Sequence, residues 1–177
     1  DSIDLDECFD KKHHGGSKRV IHHYSLKNYQ RLKDTFPELV EKFVPGSYGE
    51  NICTEDLDEK DLFVGDIVQI GEVKARLTIP RTPCSTIDKT YEEKGILKNI
   101  VQTGHYGWFY EIITPGIINV SDTFEVIERP YGKTCLHDLI LQVGRKQEPN
   151  IDALKELVES KILDDSWTAK VRRVVGS

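Results

Sequence analysis

The spacing of apolar residues changes character along this chain. From Ser25 to Phe43 the residues Leu26, Tyr29, Leu32, Phe36, Leu39, Val40 and Phe43 recur every three or four positions, which is one face of an amphipathic helix. Pro37 divides that helix in two, because proline has no N–H and clashes with the preceding turn. Ser25 reads as its N-cap. The middle of the chain alternates instead. Ile67-Val68-Gln69-Ile70 and the run Val73-Lys74-Ala75-Arg76-Leu77-Thr78-Ile79 flank Gly71, predicting two antiparallel strands across a glycine turn. Residues 117–128, after Pro115-Gly116, predict a further strand. Short strands separated by glycine and proline argue for a barrel or a sandwich.

Beyond Pro130 the helical period returns. Leu136, Leu139, Ile140 and Val143 share a face, as do Ile151, Leu154, Leu157 and Val158, and Ala169, Val171, Val174 and Val175 follow Ser166-Trp167-Thr168. Three short amphipathic helices form a small C-terminal α-helical appendage, read first as a packing or interaction module.

Composition narrows the class. With 38% hydrophobic and 31% charged residues over 177 positions, the chain is an ordinary globular protein with enough residues for one good core. A net charge of -6 argues against a broad grip on nucleic acid. No apolar run approaches the ~20 residues of a membrane helix. The first residues are Asp1-Ser2-Ile3-Asp4 and methionine is absent, so upstream sequence is expected, along with any targeting segment. The four cysteines, Cys8, Cys53, Cys84 and Cys135, form no Cys-x-x-Cys pair and read as reduced cytoplasmic thiols.

Four segments can carry chemistry. In Ile79-Pro80-Arg81-Thr82-Pro83-Cys84 two prolines stiffen a loop after a strand, and Arg81 is placed to favour a thiolate and to bind an anion. The competing reading of Cys84 is a buried small hydrophobe. His13, His14, His22 and His23 invite a zinc reading, but no fourth ligand stands at standard spacing. Adjacent histidines in a strand also point to opposite faces. A glycine-flanked His14 contacting an anion is the preferred alternative. Tyr48-Gly49-Glu50-Asn51 reads as a turn. Thr103-Gly104-His105-Tyr106-Gly107-Trp108-Phe109-Tyr110 is either core packing or the wall of a pocket for a flat heterocycle.

Taken in order, His14-Gly15-Gly16 with Arg19 and Tyr24, Gly49-Glu50-Asn51, Gly65-Asp66 and Pro80-Arg81-Thr82-Pro83-Cys84 resemble the MOSC family, named for the C-terminal domain of molybdenum cofactor sulfurases. The resemblance spans roughly residues 8 to 128. The stretch around Gly107-Trp108 and the helical tail resemble the bacterial stand-alone branch with a C-terminal three-helix extension, associated with resistance to 6-hydroxylaminopurine. The resemblance implies a mainly β fold, a β-barrel with flanking helices over residues 1–129, followed by the extension over 130–177. It implies a molybdenum cofactor (molybdopterin), with Cys84 as catalytic residue and metal ligand. His14, Arg19, Asn51, Arg81 and Glu50 are the implied cofactor-binding residues, and Trp108 and Tyr24 flank the substrate. The implied activity is reduction of N-hydroxylated purines or related N-oxygenated compounds, with a flavoprotein electron donor. A non-catalytic carrier of cofactor or sulfur on Cys84 is the alternative. The remaining expectations are a homodimer as candidate assembly, neither nucleic acid nor membrane as partner, and a cytoplasmic location. One departure is plain: where the family shows a glycine-aspartate element before the His-Gly-Gly loop, this chain has Asp6-Glu7-Cys8-Phe9-Asp10. The barrel's first strands are expected upstream, and no pyridoxal-phosphate lyase-like domain accompanies the chain, so full sulfurase activity is not expected.

Overall fold

The computed structural model describes residues 16–176. His14, together with Cys8, His13 and Gly15, lies outside the described residues. Strand β1 (Ile21–Ser25) runs directly into helix α1 (Leu26–Thr35), and a 3-10 turn follows at Pro37–Lys42. The junction is abrupt because Ser25 keeps an extended backbone while its hydroxyl accepts the Lys27 N–H, the expected N-cap. Pro37 divides the helical pattern as its missing donor requires.

Next come β2 (Ile52–Thr54), β3 (Ile67–Ile70), β4 (Val73–Pro80), α2 (Thr86–Thr90), α3 (Ile96–Thr103), β5 (Trp108–Thr114) and β6 (Phe124–Glu128). The extension is α4 (Leu136–Val143), α5 (Ile151–Ser160) and α6 (Asp165–Val175). The strands form one six-stranded sheet in the order β2-β1-β5-β4-β3-β6, curled into a half-barrel with helices around it. Among the described strands only β1 and β2 pair in parallel. Among the described residues no helix is long and apolar enough to cross a membrane.

The β3–β4 hairpin turns at Gly71 as its sequence indicates, with φ +55. A side chain there would run into the Asp122 carboxylate and come within 2.8 Å of the Ile117 carbonyl, so glycine is required. That packing also corrects the strand expected over residues 117–128. Ile117 N–H donates to Glu72, Glu72 N–H donates to Ile117, and Asn119 N–H donates to Asp122. These bonds hold residues 117–122 as a cover over the hairpin turn, and the ladder begins at Phe124.

Two hydrophobic clusters flank β1. One is mostly aliphatic and lies between the sheet and the C-terminal helices: Val68, Leu77, Ile79, Trp108, Leu139, Leu154, Leu157, Trp167 and Val171 are all buried in it. The extension therefore shares the sheet's own core. Leu136 N–H donates to the Leu62 carbonyl and Cys135 bridges Phe63. The other cluster is rich in tyrosine. It joins Tyr24, Tyr29 and Leu32 to Phe43, Tyr48, Ile87, Tyr91, Ile96 and Ile100. Strand β1 serves both, with Ile21 in the first and Tyr24 in the second.

Candidate functional site

The site is built where β4 runs out. Pro80 is paired with Trp108, and Arg81 adds one more rung by donating its N–H to the Gly107 carbonyl at 2.9 Å. Pro83 has no donor to continue the ladder, so the chain leaves the sheet. Cys84 follows, half-buried, and its carbonyl accepts the Ile87 N–H at 3.1 Å as α2 begins.

The loop of residues 46–51 faces this turn. Arg81 Nη1 donates to the Tyr48 carbonyl at 2.6 Å, and the guanidinium carbon sits 3.9 Å from the centroid of the Tyr48 ring, a stacked cation–π contact. The 46–51 loop is held from beneath. Tyr29 Oη donates to Glu50 Oε1 at 2.8 Å and accepts the Tyr48 N–H at 3.0 Å. Glu50 Oε1 also accepts the Gly46 N–H. Glu50 is thus spent on shaping the loop, a role its place in a turn motif does not reveal.

His22 closes the other end. Its N–H donates to Asn51 Oδ1 at 2.8 Å, its carbonyl accepts the Asn51 N–H at 2.8 Å, and its ring Nδ1 bonds the Gly49 carbonyl at 2.9 Å. A carbonyl only accepts, so Nδ1 carries the proton and Nε2 is bare. Nε2 has no partner and lies where a Cβ on Gly107 would meet it at 3.0 Å. Burial, then the positive charge of Arg81, push the imidazole well below its ordinary pKa, so it is neutral. Beside it the buried Tyr48 hydroxyl is also unpartnered, and burial drives its pKa up against the opposing charge of Arg81.

His23 is placed on the opposite face, as the alternation of a strand dictates. Trp108 Nε1 donates to Tyr110 Oη at 2.6 Å, Tyr110 Oη is hydrogen-bonded to His23 Nδ1 at 3.2 Å, and His23 Nε2 is hydrogen-bonded to Thr54 Oγ1 at 2.9 Å. Trp108, read from the sequence as a pocket residue, is fully buried in the aliphatic core with its ring 4.4 Å from His23. Tyr24 is buried too, with its ring 4.2 Å from Tyr48. It lines a cavity of about 310 Å³ between α1 and α3, with Asn28, Arg31, Asn99 and His105.

Of the other motif residues that the structure describes, Arg19 and Gly65-Asp66 are engaged elsewhere. Arg19 pairs with Asp164 of the extension at 2.5 Å. Asp66 is buried and takes a bidentate pair of bonds from Arg129, while Gly65 adopts φ +91 against the Tyr131 ring. That motif is structural. Among the described residues no group of three histidine, cysteine or acidic side chains could hold a metal; His13 and His14 lie outside them.

With this geometry in view, the comparisons with known proteins are decisive: the family model for the MOSC domain matches residues 10–125, more than half of the chain. The chain belongs to the MOSC domain family. It is 30% identical over 175 residues to Protein YiiM of Escherichia coli strain K12, covering 97% of this chain and 75% of that protein. The crystal structure of YiiM from Escherichia coli superposes with a TM-score of 0.80 at 28% identity, covering 92% of this chain and 81% of that one. A protein of Gibberella moniliformis named "Reductase" is 28% identical over 152 residues, which are 85% of this chain and 27% of that much longer protein.

Within this MOSC chain the sequence motifs that converge are therefore Gly49-Glu50-Asn51 and Pro80–Cys84, joined by Tyr48. Three structural details were hidden from the sequence. His22 as the latch of the loop was weighed only as a zinc ligand. The hydroxyl pair formed by Ser47 and Tyr91, 3.0 Å apart beneath the loop, carries no motif. Nor does the bond from Lys170, on α6, to Thr82 Oγ1 at 2.9 Å.

Proposed function

We propose that this MOSC protein is a molybdenum-cofactor-dependent reductase of N-hydroxylated purines of the 6-hydroxylaminopurine type, or of related N-oxygenated compounds. The observation that carries the reading is the convergence of the Cys84 turn, the Gly49-Glu50-Asn51 loop and His22 on Arg81 and Tyr48. A relative named "Reductase" supports the reaction class.

The residues present fit the cofactor. Cys84 is a half-buried thiol on a stiff turn, and a thiolate suits a soft metal–sulfur centre. With no other metal-binding cluster among the described residues, the metal's remaining ligands would come with the cofactor. Two unpartnered buried polar atoms, His22 Nε2 and Tyr48 Oη, mark the same corner. Arg81 spends Nη1 on Tyr48, and its other donors suit a phosphate. Asn51 fixes the loop, while His14 and Arg19 belong to the motif that precedes β1. The cofactor, when bound, supplies the two-electron redox chemistry. The chain's part is to hold it, to orient the substrate and to exclude water. The reduction consumes two electrons and two protons, breaks the N–O bond, and yields the amine and water. The electrons come from a flavoprotein donor.

The test compares protein from hosts able and unable to make the cofactor. Molybdenum should accompany only the former, and only that protein should reduce 6-hydroxylaminopurine with an artificial donor. Equal activity from both hosts would sink the proposal. Stoichiometric metal without turnover would make the chain a carrier instead.

A further inference from the structure

Glu59 stands in none of the sequence motifs, yet its side chain is completely buried. The turn that carries it is held on both sides. Asp58 N–H donates to Asp61 Oδ2 and Asp61 N–H donates back to the Asp58 carbonyl, while the Glu59 carbonyl accepts the His137 N–H of α4 at 2.9 Å. The C-terminal extension therefore helps to fix this residue.

The Glu59 carboxylate gathers donors from three places. Oε1 accepts from Asn28 Nδ2 on α1 and from the Gly107 N–H, each at 2.8 Å, and Oε2 is hydrogen-bonded to His105 Nδ1 at 3.3 Å. Asn28 is oriented for this by Arg31, which donates to its Oδ1 at 2.6 Å. Gly107 passes the constraint on. Its N–H is taken by Glu59, and its carbonyl accepts the Arg81 N–H at 2.9 Å. Its φ of +73 suits glycine, and a Cβ there would come within 2.7 Å of the His23 carbonyl and 3.0 Å of His22 Nε2. Arg81 in turn donates to the Tyr48 carbonyl and stacks on the Tyr48 ring. An unbroken line of bonds thus runs from Glu59 to the loop that faces Cys84.

Burying a carboxylate is costly, and a neutral side-chain carbonyl could accept the Gly107 N–H. The charge adds a stronger bond to that N–H and a field in the cradle. Burial is the main reason that the Tyr24 and Tyr48 hydroxyls keep their protons; Arg81 opposes it at Tyr48, and the Glu59 charge reinforces it at both.

We propose that Glu59 is a positioning residue for the candidate site: its carboxylate fixes Gly107 and, through the Gly107 carbonyl, sets Arg81 beside the Cys84 turn. Its consequence for turnover rests on the reductase reading; the line from Glu59 to Arg81 does not.

Hydrogen exchange of the metal-free full chain, read by NMR, tests that line in wild type, Glu59→Leu and Glu59→Gln. Glu59→Leu should speed exchange of the Gly107 and Arg81 amides about tenfold or more, with the β3–β4 hairpin amides unchanged. Glu59→Gln keeps an oxygen for Gly107 but not the charge, so the same two amides should exchange about threefold faster. If Glu59→Leu does not fold, the Glu59→Gln result decides. Gly107 and Arg81 amides that exchange as in wild type in the folded variants overturn the proposal, as does an equal acceleration of every amide. In cofactor-loaded protein, Glu59→Gln should lower kcat per bound molybdenum about threefold or more, and this loss should not add to that of Arg81→Leu. Unchanged turnover per molybdenum in a variant whose two amides have loosened also overturns it. A wild type that binds no molybdenum, or turns nothing over when loaded, defeats the reductase reading and leaves the exchange rates to decide whether Glu59 sets Arg81.

Discussion

The two clusters on either side of β1 are built from different materials. Under the extension, Leu77, Leu139, Leu154 and Val171 pack as hydrocarbon. The central polar atoms there form a closed relay from Trp108 through Tyr110 and His23 to Thr54. Beneath the Cys84 turn, Tyr24, Tyr29, Tyr48 and Tyr91 crowd together, and His22 Nε2, Tyr24 Oη and Tyr48 Oη are buried with no partner. Among the described residues the aliphatic region leaves one buried polar side-chain atom without a partner, Trp167 Nε1, against three on the other side. Buried polar groups are nearly always bonded, so the concentration of exceptions next to a cysteine-bearing turn is the contrast to test.

The sharpest way to break this contrast is to empty the aliphatic side. Leu139 is completely buried, and Leu139→Ala should cost about 2–5 kcal/mol in urea unfolding. Binding at the Cys84 turn should persist under conditions where the variant is folded. A loss of binding without a loss of stability would mean that the two regions are not separate.

Acid should act on both regions through the paired histidines. Burial lowers His23 to about 3 and His22 well below its ordinary value, while both titrate near 6.5 in the unfolded chain. Above that pH both states are neutral and the full stability is present. As pH falls below it, the unfolded chain takes up protons that the folded one refuses. Stability is then lost until the folded value is reached, about 2 kcal/mol for His23 by pH 5. Urea midpoints from pH 7.5 down to 5 should fall more steeply in wild type than in His23→Gln. A His23 ring that titrates near 6.5 by NMR would refute the assignment.

How much of this was legible in the residues depends on the range of the interaction. Period and punctuation placed α1, its break at Pro37, the Gly71 hairpin and the three C-terminal helices, because each rests on neighbours in sequence. The strand expected over residues 117–128 was shortened by a long-range event, the bonding of residues 117 and 119 to Glu72 and Asp122. Motif order singled out Cys84, Arg81 and the Gly49-Glu50-Asn51 loop. It did not reveal that Glu50 bonds Tyr29, that Asp66 serves Arg129, or that Trp108 belongs to the core. Lys170 lies 86 positions beyond Cys84, and only folding brings its helix to Thr82.

The finest test uses one atom on each side. Tyr110 Oη accepts from Trp108 and is hydrogen-bonded to His23 Nδ1, so Tyr110→Phe leaves a buried indole N–H and a ring nitrogen unmatched and should cost about 1–3 kcal/mol. Tyr24 Oη bonds nothing and is equally buried. Tyr24→Phe removes a polar group that already lacks a partner and should change stability by no more than about 0.5 kcal/mol. Paired urea melts decide the matter. If both substitutions cost the same, the tyrosine cluster is as well satisfied as the aliphatic side. If Tyr24→Phe is neutral in metal-free protein but costly in cofactor-loaded protein, its hydroxyl acquires its partner only when the ligand arrives.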